Sequence, residues 1–328
     1  MNRFLYSLAL FIGIPFAIFR LLIKDTHDPS WTRKLKNQFG IVEKIPGRVI
    51  WTHCVSVGEF NASKPLIEKL MIQYPNHQII ISTTTITGFN AVNNYYKNNV
   101  KHCFFPFDIP FILGSFIRKI NPEICILLET EIWPNLIHIL KKKNIPTALI
   151  NARLSDKSFQ RYDKYSAKLV KASLNNLSLI CAQSSFSSDR FISLGANQEK
   201  MITTGSLKFD SDNTIDDKSI KTLKKIIGER KITVFASTRE GEEKQIFESY
   251  INSADNIDSL LIIIPRHPER FNEVFKLAKA SGFKVERRSS TLQCSDDTDI
   301  LIGDTMGEMM SYYSVCDLAF IGGSLSDN

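Results

Sequence analysis

The chain reads as an α/β protein made of two doubly wound parallel sheets, and three observations predict this. From residue 49 onward, short β-branched runs alternate with amphipathic helical patterns, the mark of repeated βα units. The 328 residues suffice for two domains, each burying its own core. The apolar periodicity lapses once, in the polar stretch 205–218 (GSLKFDSDNTIDDK), which cuts the alternation into two blocks. A content of 43% hydrophobic and 23% charged residues fits a folded body and excludes a disordered or fibrous chain.

Residues 4–23 (FLYSLALFIGIPFAIFRLLI) carry a single charge, Arg20. About twenty such residues can cross a hydrocarbon core of roughly 30 Å, and Pro15 is tolerable in a membrane helix. No small-residue cleavage site follows, so residues 1–24 read as an anchor and not as a signal peptide. Arg20, Lys24, Arg33, Lys34 and Lys36 follow the apolar run, against Arg3 before it, which places the rest on the cytoplasmic side. A helix lying flat in the interface is the alternative. Residues 25–47 form a basic juxtamembrane segment.

The stretch 48–60, RVIWTHCVSVGEF, opens the first domain, 48–206. Val49, Ile50 and Trp51 begin a strand-like run that continues through Val55 and Val57, stops at Gly58-Glu59 and gives way to a helix pattern from Asn61. Glu59 would then stand at the carboxyl end of a strand, where open α/β sheets bind ligands and where a carboxylate can take a proton from a hydroxyl. Equally, it could only favour the helix N-terminus through the macrodipole. Strand patterns follow at 77–83, 123–128, 147–151, 177–182 and 200–203, with helix patterns at 64–74, 111–120, 136–143 and 158–173.

After a linker at 207–218, the second domain, 219–328, alternates helix 220–227, strand 232–237, helix 243–254 and strand 259–264. Helix 270–281, strand 299–302, helix 305–315 and strand 318–321 complete it. It ends without closing helices and is expected to be incomplete, with apolar sheet faces open to water.

Several loops at strand ends carry chemistry. Pro265-Arg266-His267-Pro268-Glu269-Arg270 is a stiff loop whose arginines can fork onto a phosphate. Gly303-Asp304-Thr305-Met306-Gly307-Glu308 is expected to open a helix, presenting backbone N–H groups to an anion or simply capped by Asp304 or Thr305. Gly322-Gly323-Ser324 permits close approach of a ligand. Glu129 and Glu131 can orient a base or bind hydroxyls, or merely charge a helix start. Arg153 can pair with a carboxylate or an anionic acceptor. The Asp210/Asp212 and Asp297/Asp299 pairs lie in polar loops and read as coincidental.

A net charge of +7 favours anionic partners, but no nucleic-acid-binding signature accompanies it, so nucleic acid is not expected. The six cysteines lie far apart, mostly in apolar runs, as buried thiols of a reducing compartment do. The six histidines are scattered, and no metal or other cofactor is expected.

Eleven segments in order resemble the 3-deoxy-D-manno-octulosonic acid (Kdo) transferases of lipopolysaccharide synthesis: HCVSVGE, STTTITG, FPFD, ETEIWPN, NARLS, QSSFSSDRF, GSLKFD, ASTREGEE, PRHPERF, GDTMGE and IGGSL. The resemblance implies a GT-B fold, with two Rossmann-like domains facing a cleft, and an enzyme of the inner membrane. It implies transfer of Kdo from CMP-Kdo to a lipid A precursor with inversion, Glu59 acting as general base, beside anionic membrane lipids. Ser56, Gly58, Glu129, Glu131 and Arg153 would serve the acceptor side. Lys208, Pro265, Arg266, His267, Met306, Gly307, Glu308, Gly322 and Gly323 would bind the donor. The chain departs from the family pattern at Ser206, usually Asn, and at Arg239, usually His. The family also continues past GGSL into a GGHNxxEP segment, so a chain stopping at Asn328 is expected to bind CMP-Kdo poorly. An inactive relative retaining only membrane or lipid binding is the first rival reading, and a nucleotide-sugar epimerase the second.

Overall fold

A computed structural model describes residues 2–24, 29–210, 217–252 and 259–325. They form two compact units that divide between Asp212 and Asn213. Most of the expected linker, Asp212 of the Asp210/Asp212 pair and the end of helix 243–254 lie outside the described residues.

The first unit holds helices α1 (Arg3–Lys24), α2 (Trp31–Gln38), α3 (Val57–Gln73), α4 (Ile86–Tyr96), α5 (Pro110–Ile120), α6 (Pro134–Lys142), α7 (Asp156–Asn176) and α8 (Ser185–Ser193). Strands β1 (Arg48–His53), β2 (His77–Thr83), β3 (Lys101–Phe104), β4 (Pro122–Leu128), β5 (Thr147–Ala152), β6 (Leu179–Ala182) and β7 (Met201–Thr203) form one parallel sheet, ordered β3-β2-β1-β4-β5-β6-β7. Helices cover both faces, which is why the strands read as unbroken apolar runs. Val49, Trp51, Ile80, Cys125 and Leu127 enter one core, while their neighbours Ile50, Ile79, Ile81, Ile126 and Leu128 enter the other. Serine or threonine caps four of the helices that leave strand tips: Ser56, Thr85, Ser155 and Ser184 each accept a hydrogen bond from the N–H three residues on.

β1 ends at His53, short of the expected strand, because Ser56 caps a helix that already begins at Val57. The polar-edged strand β3 and the helices α2, α4 and α8 carry too weak an alternation to be read from sequence. The start of α1 is hydrogen-bonded onto α6: Asn135 Nδ2 donates to Ser7 Oγ at 2.9 Å. Beyond that contact, Phe4, Leu8, Phe11, Ile12, Phe16 and Phe19 are exposed. Among the described residues, no helix is long and apolar enough to cross a membrane, which leaves the expected span without support.

The second unit comprises α9 (Asp217–Ile227), β8 (Lys231–Thr238), α10 (Glu242–Asn252), β9 (Ser259–Pro265), α11 (Phe271–Ala280), β10 (Val285–Arg287), β11 (Ile300–Ile302), α12 (Met309–Val315) and β12 (Leu318–Ile321). Its strands are parallel in the order β10-β11-β9-β8-β12. Alternate residues again divide between two cores, Ile232, Val234, Leu260 and Ile262 in one and Leu261, Ile263, Ile300 and Ile302 in the other. At the sheet edge, β12 exposes Leu318 and Ile321. α12 starts at Met309, four residues later than expected, since Gly307 at φ +85° interrupts helical geometry.

Candidate active site

In the first sheet the strand order reverses between β1 and β4, so the loops leaving these strands diverge and open a crevice at their carboxyl ends. Three carboxyl groups interact there: Glu59 in the first turn of α3, and Glu129 and Glu131 in the loop between β4 and α6.

Glu59 is 9% exposed. The Ser56 hydroxyl accepts from the Glu59 N–H at 3.4 Å, and Glu59 Oε2 accepts from the Val55 N–H at 2.6 Å. This is a capping box reaching one residue further back than usual. Burial nevertheless pushes the Glu59 carboxyl up to about 7, with a further push from Glu129, against the pull of the Val55 N–H and Ser56. The Glu59 side chain therefore caps the helix while burial raises the proton affinity of its carboxyl. Gly58 is not required by packing, since an added Cβ would meet only Ser56 Oγ, at 3.7 Å.

Glu129 sits at φ +55°, a left-handed conformation uncommon for a side chain of this kind, which turns the chain sharply off β4. Asn151 repeats this at the end of β5, at φ +55°, with its Oδ1 accepting from the Leu207 N–H at 3.1 Å. Burial lifts Glu131 to about 7, helped by Glu59. Its Oε2 lies 3.9 Å from Nε2 of His53, a fully buried ring that stacks on Phe105 with centroids 3.9 Å apart. Desolvation holds His53 down near 3, so the ring is neutral.

Beside the carboxyl cluster, the Thr130 hydroxyl donates to the Arg153 carbonyl, and the exposed Arg153 side chain borders an open groove of about 510 Å³. Ser155, Gln183, Arg190, Ser206 and Phe209 also line it. Lys208 lies in the 3₁₀ turn Leu207–Phe209, which belongs to the first unit because Leu207 packs against the core beside α3. A larger cavity, about 970 Å³, opens near the starts of β2 and β3, at the opposite ends of the strands from these carboxyls.

In the second unit, Pro265 ends β9, and Arg266 follows with an exposed side chain and a backbone N–H that donates to Thr238 O at 3.0 Å. The exposed His267 stands 4.0 Å from Glu269. Arg270 grips the buried Glu243 with two hydrogen bonds, 2.9 and 3.0 Å, and so braces the loop that carries Arg266. The helix start expected at Met306 does not form there: α12 begins at Met309, Met306 is exposed in a loop, and Gly307 has open space around it. Glu308 is held by Arg288 at 2.8 Å and by the Thr305 hydroxyl.

Gly322 and Gly323 bring the chain close to a protein carboxylate. Glu242 Oε1 accepts from the N–H groups of Gly323, Ser324 and Leu325 at 2.7, 3.1 and 3.1 Å, and Oε2 accepts from the Arg239 N–H at 2.8 Å. A Cβ on Gly322 would fall 2.5 Å from Ser237 O, so only glycine fits. Sequence reasoning missed His53, Asn151, Glu242 and Arg288, and it read Arg270 as a phosphate fork where its guanidinium is taken up by Glu243. All but Arg288 stand inside a quoted motif, but the role of each depends on a partner distant in the chain.

Residues 33–211 match the family described as 3-deoxy-D-manno-octulosonic-acid transferase (kdotransferase). The 3-deoxy-D-manno-octulosonic acid transferase of Haemophilus influenzae is 38% identical over 334 residues, covering 99% of this chain and 77% of that one. Among solved structures, UDP-GlcNAc 2-epimerase of Neisseria meningitidis shares 12% identity over 84% of this chain and 77% of its own, with a TM-score of 0.55. MurG of Acinetobacter baumannii shares 10% over 84% of this chain and 71% of its own, with a TM-score of 0.51. At such identities the two structures speak for the Rossmann-like α/β fold alone. The sequence matches decide the family: this chain belongs to the Kdo transferases, a family of glycosyltransferases.

Proposed function

We propose that the protein is an inverting glycosyltransferase that moves Kdo from CMP-Kdo to a glucosamine hydroxyl of a lipid A precursor and releases CMP. Family membership supports the sugar transferred. The observation that carries the mechanism is the Glu59 carboxyl, at the strand-order reversal of the first sheet and raised by burial to about 7. Glu59 takes the proton of the attacking hydroxyl, and the oxygen displaces CMP from the anomeric carbon on the opposite face. Arg153, beside the groove next to the carboxyls, suits the phosphates of an acceptor glycolipid. In the second unit, Arg266 at the tip of β9 offers a charged fork to the leaving phosphate.

The acceptor is a lipid, and the exposed apolar residues of α1 suit attachment to an anionic membrane surface on the cytoplasmic side. Flotation of the full chain with anionic vesicles tests this attachment, and protein that stays at the bottom of the gradient argues against it.

The reaction is tested by incubating the full chain with CMP-Kdo and a tetraacylated lipid A precursor, then weighing the lipid by mass spectrometry. The expected product is heavier by one or more Kdo units, with matching release of CMP. CMP release without any gain in lipid mass would sink the acceptor assignment, and no CMP release would sink the whole reading.

A further inference from the structure

The ring of His53 is fully buried and touches no solvent. Its Nδ1 lies 3.1 Å from the carbonyl oxygen of Ser82 and 3.0 Å from the hydroxyl of the same residue. A carbonyl only accepts, and the Ser82 hydroxyl oxygen already accepts from Trp51 Nε1 at 2.8 Å. The proton of the neutral ring therefore sits on Nδ1, and Nε2 carries a lone pair. That lone pair has no hydrogen-bond partner, although it is buried. The group facing it is Glu131, whose Oε2 is 3.9 Å away. If Glu131 were ionised, two acceptors would confront each other, with the His53 lone pair wholly out of water and Glu131 only partly exposed. One proton on the carboxyl converts this into an O–H···N hydrogen bond, closed by a movement of about 1 Å.

The surroundings act in the same direction. Glu59 on α3 and Glu129 at the end of β4 place negative charge near Glu131, and Tyr162 of α7 also faces it. The Trp133 indole N–H, directed at the same carboxyl, acts against this and favours the ionised form, but it does not close a hydrogen bond in this geometry. Burial raises Glu131 to about 7, which agrees with a proton held there.

We propose that His53 is a positioning residue which, through its Nε2 lone pair, holds Glu131 as a neutral acid beside Glu59, so that base and hydrogen-bond donor are divided between two neighbouring carboxyls. The neutral Glu131 spares Glu59 a second negative neighbour and presents an O–H where two anions would otherwise repel each other. This rests on the transferase reading for its role in turnover, but not for the His53–Glu131 pair itself.

Two measurements keep these apart. The first needs no substrate: nitrogen-15 spectra of the imidazoles in the full chain. The expected result is His53 protonated at Nδ1, with an Nε2 signal shifted by an accepted hydrogen bond, a shift that Glu131→Leu abolishes. A ring protonated at Nε2, or a signal indifferent to Glu131→Leu, overturns the proposal whether or not the protein turns over. The second is the pH profile of kcat/KM with CMP-Kdo and the lipid acceptor. His53→Phe is expected to lower kcat about tenfold at pH 7 and to move the acid limb up by about one pH unit, with little change in the KM for CMP-Kdo. Glu131→Gln is expected to cost activity too. In its background, however, His53→Phe should shift the limb no further, because the two residues act as one unit. An equal shift in both backgrounds assigns His53 a merely structural role and overturns the proposal. Absence of turnover in the wild-type protein would instead count against the transferase reading, with the spectra still deciding the pair.

Discussion

The backbone N–H of Val55 donates to Glu59 Oε2 at 2.6 Å, so the carboxyl proposed as the base is also the group that closes the first turn of its own helix. This double duty fixes the side chain toward the strand tips without help from a distant residue. Glutamine has the same shape and can still accept from Val55, but it cannot take a proton. Glu59→Gln is therefore expected to fold, to bind CMP-Kdo no more weakly than the unsubstituted chain does and to lose turnover relative to it by about 10² to 10⁴. Equilibrium binding and single-turnover assays on the same preparation check this, and near-normal turnover would remove Glu59 from the mechanism.

Burial raises the carboxyls of both Glu59 and Glu131 to about 7, above the ordinary value of 4.5. The folded state thus binds their protons more tightly than the unfolded chain does. Their contribution to stability is fully present below about 4.5 and is lost as pH rises through about 7. Glu59→Gln and Glu131→Gln are accordingly expected to raise the Tm at pH 8, with the gain shrinking toward pH 5. Activity runs the other way, since the base works ionised and kcat/KM should climb as pH passes about 7. Gln variants that melt lower at pH 8 than at pH 5, relative to wild type, would refute the linkage.

The long strands were legible because both faces of each sheet are covered, so Ile79, Ile80 and Ile81 are all buried and form an unbroken run. Glu59 was legible for a related reason: a glycine and an acid after such a run mark a strand tip. The helix start at Val57 was not, since Val55 and Val57 extend the β-branched pattern while the Ser56 cap acts through a hydrogen bond that composition does not express. The same blindness hid Glu242. Its role depends on amides of residues 323–325, some eighty positions later, and no local pattern signals a carboxylate that a backbone loop will enclose.

Two buried histidines make the first unit sensitive to acid. Desolvation holds His53 and His102 down near 3, while an unfolded histidine takes a proton near 6.5. Each therefore contributes stability that is present above about 6.5 and lost progressively as pH falls toward 3. The slope is about 1.4 kcal/mol per pH unit for each ring. Glu59, Glu131 and Asp108, all raised by burial, oppose this trend over part of the range. Comparing wild type with His102→Gln isolates one ring. Glutamine can still reach the Thr83 hydroxyl, which lies 3.1 Å from His102 Nε2. Urea unfolding followed by tryptophan fluorescence should show the variant less destabilised between pH 6 and 4 by about 1 kcal/mol per unit. Parallel curves would mean that His102 is not protonated on unfolding.

In the second unit, burial alone would raise the Glu242 carboxyl. The backbone N–H groups of Arg239, Leu325, Gly323 and Ser324 outweigh it and hold the carboxyl below its usual range. This clasp joins the end of β12 to the start of α10, and Gly322 makes room for it. Glu242→Ala leaves four donors without their acceptor and is expected to cost on the order of 3 kcal/mol or more. Gly322→Ala drives a methyl group to 2.5 Å from Ser237 O and 2.7 Å from Thr238 Cα, at a cost of about 1–3 kcal/mol. Trp31, Trp51 and Trp133 all lie in the first unit, so fluorescence is blind to this loss. Circular dichroism and hydrogen exchange are the suitable probes: both variants should exchange the amides of residues 323–325 faster and lower the urea midpoint of the circular-dichroism transition. Unchanged exchange at those amides in Gly322→Ala would show that the clasp tolerates a side chain there and that the close approach does not hold the loop.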